Sequence, residues 1–177
     1  GAHNVLNALA GFGAGVAAGV KPEHAAAALA NFRSTGMRQR ARKCREVTVI
    51  EDCYNANPDS VKAAMLTLGS RKIPDGAKKI AVLGDMLELG AVAESAHLAA
   101  GKEAAAAADV LFCCGELGAL IAKGAEDAEM KNVKHFASKD ELARELRRIA
   151  RPGDVIWLKA SRGMRFEDIA EAFYEEL

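Results

Sequence analysis

The chain has 177 residues, half of them hydrophobic, and its 24 basic and 24 acidic side chains cancel to a net charge of zero. That length carries one domain with a full core and a smaller appendage, and the balanced charge excludes the electrostatic footprint of a nucleic-acid or anionic-lipid binder. The longest apolar stretch, Val5 to Val20, is interrupted by Asn7 and by glycines, short of the roughly 20 residues that span a bilayer, and no secretory pattern precedes it, so the expectation is a cytoplasmic protein with no membrane span.

From His3 to Gly19 the large apolar residues Val5, Leu6, Leu9, Phe12 and Val16 recur at helical spacing. The glycines at 11, 13, 15 and 19 invite a dinucleotide reading, but that fingerprint needs a strand before it and a helix opening at the glycines; close helix packing is the better account. Pro22 opens a second short helix in "PEHAAAALANF". The polar stretch "RSTGMRQR" follows as the boundary, dividing residues 1–33 from residues 34–177.

Beyond it, strand-length apolar runs alternate with amphipathic segments. Strands are expected at Val47–Glu51, Lys79–Leu83, Val110–Cys114, Val133–Phe136 and Val155–Lys159, with a short antiparallel edge near Arg40–Arg45. Helices are expected at Ser60–Ser70, Ala93–Ala107, Leu117–Ala125, Lys139–Ala150 and Phe166–Glu176. This alternation predicts an α/β fold, a Rossmann-like three-layer domain with a mostly parallel sheet of about six strands. The four cysteines form no CxxC pair, which points to buried free thiols rather than a metal site or disulfide framework.

Ligands of such sheets bind outside the carboxyl ends of the strands. Four polar loops fall there: "DCYNANPDS", "GDMLELG", "GELG" and "KASRGM". In the first, a turn accounts for Pro58, Asp59 and Ser60, with Asp59 or Ser60 capping the next helix. Asp52, Tyr54, Asn55 and Asn57 exceed what one turn needs; paired amides read the edges of a base or ribose, and an aromatic covers a flat ring. In the second, Asp85 ends a strand with Glu88 one turn away, an arrangement also found at purely structural helix starts. His97, inside the following helix, reads as a packing histidine more readily than a catalytic one. In the last, Lys159, Ser161 and Arg162 suit a carboxylate or phosphate, or else form a solvated basic turn.

Taken in order, "HNVLNALA", "GMR", "DCYNANPDS", "LGDMLELG" with His97 downstream, and "KASRGM" resemble the Mur ligases, and within them the member that adds D-alanyl-D-alanine to UDP-N-acetylmuramoyl-tripeptide. The resemblance implies an ATP-dependent amide ligase of peptidoglycan synthesis working through an acyl phosphate, with ATP and Mg²⁺ as cofactors. It implies that residues 1–33 end a central ATP-binding domain and that residues 34–177 form the C-terminal Rossmann-like domain. The family's GKT loop, its modified lysine and its Mg²⁺ ligands do not occur in this sequence, so the expected partners include an N-terminal and a central domain, and the chain alone is expected to be inactive.

Carried over by position, Asn4 and Asn7, with His3 beside them, match asparagines facing the adenine. Arg38 matches an arginine reaching towards the phosphates, and Asp52, Tyr54, Asn55 and Asn57 match a loop near the ribose and adenine. Asp85, Glu88, Lys159, Ser161 and Arg162 fall where the incoming amine, here D-alanyl-D-alanine, is bound; the resemblance leaves His97 open. The family has glycine where Ala160 stands, which puts a methyl group where backbone is expected to approach ligand. The alternatives are another Mur-type or folylpolyglutamate-type ligase, and a stand-alone Rossmann-like binding module.

Overall fold

The computed structural model describes residues 2–32 and 38–175, with side chains from residue 4 onward. They form two compact units, the first holding two helices and the second everything from residue 38. Most of the expected boundary at residues 33–40, the last-helix end at Glu176 and the His3 side chain lie outside what is described.

In the first unit, α1 (Ala2–Ala17) and α2 (Pro22–Ala30) follow the apolar spacing. Gly19, at φ +90°, breaks α1 in the left-handed conformation that glycine adopts without strain. Among the described residues, a Cβ added at Gly11, Gly13 or Gly15 would have no neighbour within 4 Å. Asn4 and Asn7 are exposed on this helix.

The second unit runs β1 (Arg40–Cys44), β2 (Val47–Asp52), α3 (Pro58–Ser70), β3 (Lys79–Gly84), α4 (Ala93–Ala105), β4 (Val110–Cys114), α5 (Gly118–Asp127), β5 (Val133–Phe136), α6 (Lys139–Ile149), β6 (Val155–Lys159) and α7 (Glu167–Glu175). The strands form one six-stranded sheet in the order β1-β2-β6-β3-β4-β5, parallel except for the β1–β2 pair. The expected α/β three-layer architecture is therefore observed.

Connectivity decides which face each helix covers. From β2 through β3 and β4 to β5 the chain steps one way across the sheet, so right-handed crossovers put α3, α4 and α5 on one face. The step from β5 back to β6 reverses direction and sends α6 to the other face, where α7 joins it. Burial agrees: Ala81, Leu83, Leu111 and Trp157 pack with Met65, Leu68, Ala100 and Ile121 on one side. Ile80, Val82, Phe112 and Leu158 pack with Leu142, Leu146, Ile169 and Phe173 on the other. The reversal also seats β6 between β2 and β3, at the centre of the rim where ligands of such sheets bind.

Helix α3 starts two residues before the expected Ser60, and its cap is neither Asp59 nor Ser60. Asn57 caps it: its side chain accepts from the Ser60 amide at 2.8 Å while the Asn57 amide donates to Ser60 Oγ at 3.0 Å. Pro58, with no amide hydrogen to satisfy, takes the first helical position.

Helices α4 and α5 approach until backbone meets backbone. A Cβ at Gly101 would run into the Ile121 carbonyl oxygen, and one at Gly124 into that of Leu98. Because both obstacles are main chain, Gly101→Ala should lower unfolding free energy by about 1–3 kcal/mol, read as a reduced urea midpoint at unchanged slope; an unchanged midpoint would show that the helices separate without penalty.

Candidate functional site

Strands β2, β6 and β3 end side by side, and their following loops form the site. Asp52 and Lys159 are paired residues in the β2–β6 register, and Leu83 pairs with Lys159 on the other side. Lys159 thus stands between the first two polar loops.

That lysine is 2% exposed and Asp52 is 7% exposed. Lys159 Nζ lies 2.9 Å from Asp52 Oδ2 and donates to the Asn55 carbonyl at 3.1 Å. Asp52 was expected on the nucleotide side and Lys159 on the side of the incoming amine; here the two side chains bond each other inside the protein. Their work is to hold the 52–57 loop. Cys53, next in the chain after Asp52, is buried and donates through Sγ to the Leu158 carbonyl at 3.5 Å; burial pushes its thiol up to about 12, which keeps it protonated at neutral pH.

On the other flank, the 85–90 loop is fixed from two directions. His97, fully buried, accepts from the Met86 amide through Nε2 at 2.9 Å, and its Nδ1 lies 2.6 Å from the Ala93 carbonyl. The amide can only donate, so Nε2 carries no proton and Nδ1–H serves Ala93. His97 therefore packs and pins the loop. Ser161 Oγ accepts from the Leu87 amide at 2.9 Å and donates to the Ala56 carbonyl at 3.4 Å, while the Ser161 amide donates to the Asp85 carbonyl at 3.1 Å. So pinned, the chain turns at Glu88 with φ +66°, a left-handed conformation that strains a residue with a Cβ.

The outcome is a cavity of about 440 Å³ lined by Tyr54, Asn55, Leu87, Glu88, Ser161, Arg162 and Gly163. Glu88 is an exposed carboxylate and Arg162 a guanidinium paired with Glu167. Tyr54, 47% exposed, carries the Arg38 guanidinium 4.0 Å from its ring centroid. Asn55 lends its side-chain oxygen to the Ala56 amide at 2.9 Å and remains exposed, whereas the side-chain oxygen of Asn57 is taken up by capping.

Asp85 lies apart from this wall. It is 6% exposed, its Oδ1 has no hydrogen-bond partner among the described residues, and its carboxylate presses on Gly115, where a Cβ would collide with it. Gly115, at φ +113°, also lines a second cavity of about 600 Å³ at the ends of β4 and β5. The Ala160 methyl is fully buried, 2.9 Å from where a Cβ on Gly84 would stand, so the missing side chain of Gly84 makes room for it. Among the described residues no three His, Cys, Asp or Glu side chains gather to hold a metal ion.

Leu87 and Gly115 carry no signal of their own in the sequence. Leu87 is 43% exposed at the rim, yet a leucine beside a strand end reads as core, and nothing in "GELG" shows that its first glycine backs onto a carboxylate 30 residues earlier in sequence.

Two measurements check this geometry. Lys159→Met, which strands Asp52 without a counter-charge, should cost about 3–5 kcal/mol in denaturant unfolding, and adding Asp52→Asn should recover part of it; equal losses in the single and double variants would deny the pairing. At Glu88 the backbone strain predicts that Glu88→Gly is more stable than Glu88→Ala by about 1–2 kcal/mol, since both lose the carboxylate and only glycine loses the strain.

Residues 37–162 match the family described as Mur ligase, glutamate ligase domain. The chain is 41% identical over 178 aligned residues to the UDP-N-acetylmuramoyl-tripeptide–D-alanyl-D-alanine ligase of Bacillus subtilis, and 31% identical over 179 to that of Escherichia coli. Each alignment takes in 99% of this chain, which spans 38% of the length of these curated relatives. A crystal structure of MurF from Acinetobacter baumannii superposes with a TM-score of 0.85 at 27% identity, covering 99% of this chain and 38% of that one. Another, of MurF from Thermotoga maritima in complex with ADP, gives 0.71 at 26% identity, covering 84% and 33%. The chain belongs to the Mur ligase family and carries its glutamate ligase domain.

Proposed function

We propose that the chain is the C-terminal portion of an ATP-dependent amide ligase of peptidoglycan synthesis, acting in the cytoplasm to join D-alanyl-D-alanine to UDP-N-acetylmuramoyl-tripeptide. The observation that carries this reading is the exposed carboxylate of Glu88 and the guanidinium of Arg162 on one cavity wall. A free dipeptide is a zwitterion, and a carboxylate for its ammonium with a planar fork for its carboxylate is the pair that binds it. The similarity to relatives named for this reaction supports the same substrate.

ATP supplies the phosphoryl group that activates the acceptor carboxylate. This chain's residues do positioning and charge stabilisation. Arg162 turns from Glu167 to the dipeptide carboxylate and Glu88 accepts from its ammonium, while Asp85 is assigned to the dipeptide on the family resemblance alone. Tyr54 and Asn55 cover the nucleotide base and ribose, with Arg38, stacked on Tyr54, directed to the phosphates. Asn57 serves that loop by starting α3. Asn4, Asn7 and His3 are assigned to the nucleotide on the family resemblance alone. No ligand for Mg²⁺ is assigned to this chain.

The test is amine-dependent ADP release by the full-length parent given the UDP-linked tripeptide. D-alanyl-D-alanine should be used in preference to any free amino acid, and preference for a free amino acid would sink the assignment in favour of another Mur-type ligase. Arg162→Ala and Glu88→Ala should each raise KM for the dipeptide about 10- to 100-fold, the span of one lost charged hydrogen bond.

A further inference from the structure

Ser161 lies on the wall of the dipeptide cavity, yet its bonding points inward. It is 4% exposed. A serine hydroxyl has one proton to donate and two lone pairs, and here the proton goes to the Ala56 carbonyl while one lone pair takes the Leu87 amide. Ala56 follows Tyr54 and Asn55, the polar residues of one loop; Leu87 precedes Glu88, the carboxylate of the other. The Ser161 amide binds the Asp85 carbonyl at the root of that second loop. Two residues back, Lys159 binds Asp52 and the Asn55 carbonyl at the root of the first. The end of the central strand thus holds both loops from within, and the hydroxyl bonds to both at one atom.

We propose that Ser161 is a positioning residue for both substrates: its hydroxyl sets the loop bearing Glu88 against the loop bearing Tyr54 and Asn55, so that the dipeptide and nucleotide sides of the cavity are aligned together. This rests on the ligand assignment proposed above. It replaces direct contact of Ser161 with the dipeptide by an action through Glu88 on one side and Asn55 on the other. The strained φ of Glu88 gives the coupling its physical basis, since a loop held in a sparsely populated conformation relaxes when one of its holding bonds is removed.

The experiment is a set of mutant cycles in the full-length parent enzyme. Ser161→Ala should raise KM for D-alanyl-D-alanine and for ATP together, each about five- to tenfold, the effect of one net hydrogen bond, and Ser161→Thr, which keeps the hydroxyl, should recover most of it. In a Glu88→Ala background Ser161→Ala should raise the dipeptide KM by less than about twofold, and in an Asn55→Ala background the ATP KM by no more, because positions acting through one another are not additive. Hydrogen exchange on Ser161→Ala should show the amides of residues 54–57 and 85–88 opening together. Multiplicative effects would mean that Ser161 touches substrate directly. Faster exchange in one loop alone, or a lower kcat with both KM values unchanged, would reduce it to a local structural role. Each of these results overturns the proposal. If the wild-type parent prefers another amine, the dipeptide assignment fails, while the ATP cycle and the exchange measurement still decide the role of Ser161.

Discussion

The Asp52–Lys159 pair is the interaction on which the geometry of the rim depends. Two opposite charges 2.9 Å apart and nearly sealed from water sit at the ends of adjacent parallel strands. Neither tolerates loss of the other, since an uncompensated buried charge costs far more than the pair gains over two apolar residues. Its value lies in location. Lys159 ends β6, the strand that the topology places centrally, and it also donates to the carbonyl of Asn55. One side chain thereby fixes where the first loop leaves the sheet, and the next residues of the same strand end, through Ser161, reach the second loop.

This arrangement divides the polar residues of the rim into two sets by what they bond. Asp52, Lys159, Ser161, His97 and the side-chain oxygen of Asn57 spend their hydrogen bonds on the protein itself. Tyr54, Asn55, Glu88 and Arg162 are presented to solvent at the cavity those bonds create. The second set is precise only because the first is satisfied. Glu88 shows the cost of that precision: an ordinary residue is kept in a left-handed turn by a buried histidine on one side and a buried serine on the other.

A similar economy operates elsewhere in the sheet. Glu51, on the face opposite Asp52, is buried and accepts from Tyr174 at 2.7 Å, with Arg42 stacked 4.1 Å over the tyrosine ring. Burial and the neighbouring carboxylate both push the Tyr174 hydroxyl upward, so it remains a donor. That cluster ties α7 to β1 and β2, and basic side chains along β1 keep its outer edge from pairing with another strand.

The alternation of apolar runs and amphipathic segments determined the α/β class, the strands and nearly all the helices, because side-chain periodicity is a local property of the chain. It also located the four polar loops on one rim of the sheet, because parallel strands joined by crossovers all end on the same side. What the sequence left open was which polar residues face a ligand and which face each other. "DCYNANPDS" and "KASRGM" read alike as clusters of binding groups; only the register of β2 beside β6, set by residues about a hundred positions apart, joins Asp52 to Lys159 and turns both inward. The same holds for Ser161 and His97, and for the methyl of Ala160 in the space left by Gly84. Hydrogen bonds between distant segments have no periodicity to betray them, so the sequence determined where the site lies and the tertiary structure alone decided which of its residues remain available to bind.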